Sequence, residues 1–84
     1  MESIKAISKL IDNLILPKYD DIYEYQIIPN NYIIEIVFWM DGTDQEIEEE
    51  IVDECKSVLS MIGSKLHRFK FKFTTEGEHF YEYS

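Results

Sequence analysis

Residues 22–40 read IYEYQIIPNNYIIEIVFWM, and the fold turns on how this stretch is read. Two runs, Ile22 to Ile28 and Tyr32 to Met40, are rich in β-branched and aromatic residues, and Pro29-Asn30-Asn31 parts them. Such residues favour a pleated, half-buried surface. Asn-Asn can supply the positive φ angles of a tight two-residue hairpin turn. A turn at Asn30-Asn31 pairs Ile27 with Ile34, Tyr25 with Ile36 and Tyr23 with Phe38 on an apolar face. The opposite face then carries Ile22, Glu24, Gln26, Ile28, Ile33, Glu35, Val37 and Trp39, a mixed set.

Upstream, Ile4, Ile7, Ile11 and Leu14 recur at helical spacing, with Lys5, Lys9 and Asp12 off that stripe. Pro17 ends this helix, because proline forces the preceding residue out of the helical region. Downstream, Gly42 closes the strand and Thr43-Asp44-Gln45-Glu46 has the form of a capping box. Ile47, Ile51, Cys55, Val58 and Ile62 form the apolar arc of a second helix, opposed by Glu46, Glu49, Asp53 and Ser60, and Gly63 is its natural stop.

Leu66 to Thr74 alternates strictly, with His67, Phe69, Phe71 and Phe73 on one face and Arg68, Lys70 and Lys72 on the other. A loop at Thr75-Glu76-Gly77 pairs Phe71 with Tyr81 and Phe69 with Tyr83 inside, and Lys70 with Glu82 outside. The reading is an α+β fold, a two-layer α/β sandwich of order α-β-β-α-β-β. It has a four-stranded antiparallel sheet with both helices on one face, and residues 1–84 make one domain. The two helix–hairpin halves share this order without visible residue identity, which leaves a tandem duplication open.

Eight carboxylates and no basic residue lie in DGTDQEIEEEIVDE, residues 41–54, nearly half of the 17 acidic residues in the chain. Like charges recur at i,i+4 as Asp44/Glu48, Glu46/Glu50, Glu49/Asp53 and Glu50/Glu54. Each such pair costs an isolated helix roughly 0.2–0.5 kcal/mol, and the helix dipole offsets this only in the first turn. A surface held at that cost suits a basic partner; the simpler reading is a solvated helix face. The net charge of −9 disfavours nucleic acid and anionic membranes as partners.

A nucleophile–base constellation is missing from the sequence. His67 and His79 sit on expected strands at the rim of the core, and Cys55 falls on a buried helical stripe. These three are too few for a zinc site. Asp41, Thr43 and Asp44 around Gly42 lack the ligand spacing of a calcium loop. No catalytic residue, metal or cofactor is therefore assigned. A lone cysteine fits a reducing compartment, and with no signal segment or long apolar run the expected location is cytoplasmic.

The expected function is that of a small acidic inhibitor without enzymatic activity, such as an immunity protein or antitoxin of a cationic nuclease toxin, or a phage-encoded inhibitor. Its partner-binding residues are Asp41, Asp44, Glu46, Glu49, Glu50, Asp53 and Trp39. The alternative is a structural subunit of a virion or complex. Its contact would be the open sheet face of Ile22, Ile28, Ile33, Val37, Trp39 and Phe80, and a homodimer would use that face or an edge strand. A third reading is a sheet-surface nucleic-acid binder built on Arg68, Lys70 and Lys72. For those cations, pairing with Glu24, Glu35 and Glu82 is the simpler account.

Overall fold

The computed structural model describes residues 2–30, 32–42, 44–60, 68–75 and 80–83; for residues 2, 3 and 80–83 it describes the backbone only. The architecture is mixed α+β. Helix α1 (Glu2–Leu10) continues through a π turn, Ile11–Ile15, and a 3-10 turn, Leu16–Lys18. Strands β1 (Ile22–Asn30) and β2 (Ile33–Met40) follow, then helix α2 (Gln45–Leu59), β3 (Arg68–Thr74) and β4 (Phe80–Tyr83). The strands lie in the order β1-β2-β3-β4.

The sheet is not antiparallel throughout. β1 pairs antiparallel with β2 and β3 with β4, but the central pair β2/β3 is parallel, with Ile33 opposite Arg68 and Trp39 opposite Thr74. The reason is the crossover. Fifteen helical residues span about 22 Å at 1.5 Å per residue, close to the length of β2 at about 3.3 Å per residue. Helix α2 therefore carries the chain back to the end where β2 began, and the next strand runs alongside β2 in the same direction.

One apolar cluster holds the two layers together. It joins Ile7, Ile11 and Ile15 from the N-terminal helical segment, and Ile51, Val52, Cys55, Val58 and Leu59 from α2. Against these pack Ile34, Ile36, Phe38 and Met40 of β2 with Phe71 and Phe73 of β3. The sheet residues alternate along their strands, so both helices cover the same face. Phe38 and Phe73 stack across the parallel pair, with ring centroids 5.5 Å apart.

Both hairpin registers differ from expectation by two residues. Ile27 pairs with Ile36, Tyr25 with Phe38 and Asn30 with Ile33. Phe71 pairs with Tyr83, Phe73 with Tyr81 and Lys72 with Glu82. A shift of two leaves the facing of Glu24 to Asn30, Ile33 to Met40 and Arg68 to Thr74 as expected, because the strand period is two. The capping residue Thr43, the helix stop at Gly63, the turn residue Asn31 and the loop residues Glu76 and Gly77 lie outside the described residues, as do Ile62, Leu66, His67, His79 and the side chain of Phe80.

A bulge changes the facing at the start of β1. Ile22 pairs with Met40 but Glu24 pairs with Trp39, so Tyr23 is the extra residue. Ile22, expected on the open face, enters the core, and Tyr23, expected inside, is 52% exposed. The bulge and Pro29 both lie in β1, an edge strand. There proline is tolerated and irregularity discourages pairing with a further strand.

The N-terminal stripe is also displaced. Ile15 is buried in place of Leu14, which is 39% exposed. Pro17 lacks an N–H and its ring crowds the carbonyl four residues back. The turn before it opens, and the Leu16 N–H reaches the carbonyl of Ile11, five residues back. That wider turn brings Ile15 round to the seam. Ile15→Ala is expected to cost about 2–5 kcal/mol, whereas Leu14→Ser should change stability by less than about 0.5 kcal/mol, as read by urea denaturation. Equal costs would argue against the displaced seam.

Candidate functional site

The first turn of α2 is fixed by Asp44. Its backbone is extended and its Oδ1 accepts a hydrogen bond from the Ile47 N–H at 2.9 Å, satisfying a donor that the helix leaves open. The described cap is thus Asp44. From this start, Ile51, Val52, Cys55, Val58 and Leu59 turn inward, with Ile47 half-buried beside them. The buried seam includes Val52 and Leu59, which the expected arc left out. Helix α2 rests on the sheet and also touches α1 and the π turn, so it is buried from two directions.

Glu46, Glu49, Glu50 and Asp53 emerge together on the outer, solvent-exposed side of α2. Glu49 accepts from the Gln45 side-chain amide at 3.2 Å. Neither of the two described ion pairs involves any of these four carboxylates. Asp41 and Asp44 are exposed just before the helix, and the Asp41 N–H donates to the Asp21 carbonyl at 3.3 Å. The six acidic residues singled out from the sequence therefore fall along one helix and its approach.

Trp39 does not join them. It lies on β2 between the core residues Phe38 and Met40 and so points to the sheet face away from α2. Trp39, Ile28 and Ile33 are half-buried there, and Val37 is only 5% exposed. Parallel central strands tend to be buried on both faces. Far less apolar surface is open here than a docking patch of exposed Val37 and Trp39 implies. On the same face Lys72 Nζ lies 3.4 Å from Glu35 Oε1, and the register sets Lys72 beside Glu82. Lys72 of the basic row is thus engaged with a carboxylate of the neighbouring strand β2.

Several groups beside the acidic face were not legible in the sequence. Lys18 Nζ pairs with Glu54 Oε2 at 2.9 Å, a contact 36 residues apart in the chain. Next to it, Tyr19 packs against the core, and burial raises its hydroxyl pKa, with Glu50 and then Glu54 adding to the rise. This connector borders the acidic face. Farther along, the Tyr25 hydroxyl donates to Asp12 Oδ1 at 2.7 Å and shares a 2.7 Å hydrogen bond with Ser8 Oγ. Burial raises the Tyr25 pKa first; Asp12 acts in the same direction and the Ser8 hydrogen bond opposes. These contacts fasten the N-terminal helical segment to the edge strand.

Glu48 is the largest departure. Only 1% exposed, it takes a place on the inward seam, four residues before Val52 and seven before Cys55. Its spacing was the available signal; its charge hid it. Burying a carboxylate is costly, and its place in the first turn of α2 sets it where the helix dipole favours negative charge. The Asp44/Glu48 pair is therefore not a pair of surface charges.

Cys55 is buried, and burial pushes its thiol pKa from 9.0 up to about 12, with Glu54 adding to the rise. The folded chain thus holds the thiol proton where the unfolded chain releases it. That contribution to stability is complete below pH 9 and declines as pH rises from there towards 12. At pH 8 the native thiol should resist alkylation by iodoacetamide and become reactive in urea, with mass spectrometry as the readout. Rapid native labelling would contradict this burial.

Among the described residues no group of three or more His, Cys, Asp and Glu is arranged to hold a metal ion, and no helix is long and apolar enough to cross a membrane. Comparison with protein families, with curated proteins and with solved structures yields no match to this chain.

Proposed function

We propose that this chain is a small acidic binding protein without enzymatic activity, which blocks or sequesters a basic protein through the outer face of α2. The settings that suit it are an immunity protein or antitoxin against a cationic nuclease toxin, or a phage-encoded inhibitor presenting nucleic-acid-like charge. One observation carries the reading. Glu46, Glu49, Glu50 and Asp53 share an exposed helix face that neither described ion pair neutralises. A field of one sign attracts and orients an oppositely charged partner during encounter. Asp41 and Asp44 extend the field, while Trp39, across the sheet, falls outside the contact.

The test is a pull-down from the native host with the intact chain as bait. A basic protein released as salt rises is the expected result. Capture of a neutral or acidic protein that stays bound in high salt would overturn the proposal and favour an assembly subunit. The non-enzymatic half has its own test. Substituting Cys55→Ala, His67→Gln and His79→Gln together should leave the biological effect intact if the thermal melt shows a folded protein. Loss of effect in a folded triple variant would sink that half.

A further inference from the structure

We draw no further inference here: the strongest candidate, the sheet face opposite the helices, where Ile28, Ile33 and Trp39 surround the buried Val37 beside the Glu35–Lys72 ion pair, carries none because nothing in the structure shows what covers it.

Discussion

Replacing Phe38 with alanine is expected to lower the free energy of unfolding by about 3–5 kcal/mol. The ring is fully enclosed on the central strand β2 and stacks on Phe73. Its removal leaves a cavity that two sheet strands and two helical segments cannot all close at once. A domain of this length has a total stability of roughly 4–13 kcal/mol, so the loss removes between about a quarter of that stability and all of it. Tyr23→Ala is the matched control. The earlier pairing places Tyr23 opposite Phe38 inside the sheet, whereas the bulge leaves it exposed, and its truncation should cost less than about 0.5 kcal/mol. Urea denaturation of both variants separates the two arrangements: comparable losses would mean that Tyr23 belongs to the core.

The second large effect concerns association. Changing Glu46, Glu49 and Glu50 to glutamine and Asp53 to asparagine removes four exposed charges. Asp44 is left in place because its carboxylate caps α2, and Glu48 because it is buried. The substitutions relieve the Glu46/Glu50, Glu49/Asp53 and Glu50/Glu54 repulsions, so stability should hold or rise by a few tenths of a kcal/mol per pair. Binding to the basic partner should move the other way. Electrostatic steering accelerates encounter by about 10- to 1,000-fold at low ionic strength, and the variant should lose much of that factor. Wild type and variant should converge as salt shortens the screening length. Stopped-flow association across a salt series gives the answer. An unchanged rate at low salt would return α2 to being a solvated face.

The alternating apolar residues of Tyr32 to Met40 and Arg68 to Thr74, and the charge segregation on α2, were readable because each is a local periodicity. What escaped depends on contacts between elements. The parallel direction of β3 follows from the length of α2 measured against β2, not from either pattern alone. Ile22 and Tyr23 exchange faces because one residue is added to one strand, and composition does not mark that site. Leu14 and Ile15 are both apolar; Pro17, through the wider turn before it, decides which one is buried. Glu48 shows the limit of reading polarity as exposure, since its spacing matches the inward seam. The outer carboxylates of α2 were found because their exposure requires only that the apolar arc face the sheet. The flanking Lys18 and Tyr19 were missed because they approach from another part of the chain.

The direction of the central strand pair has a consequence for ancestry. Viewed with both helices in front, β1 to β4 run down, up, up and down. Let β2 stand to the right of a descending β1 in the first half; the opposite hand gives the same comparison. A half-turn of the second half within the sheet plane makes β3 descend, but it sets β4 on the left. Turning it over instead restores the right-hand placement and moves α2 behind the sheet. The two halves are therefore enantiomorphic in topology, as a left glove is to a right, and no rigid motion superposes them. Duplicating a gene segment copies handedness along with sequence. The shared helix–hairpin order is therefore not by itself a sign of tandem duplication.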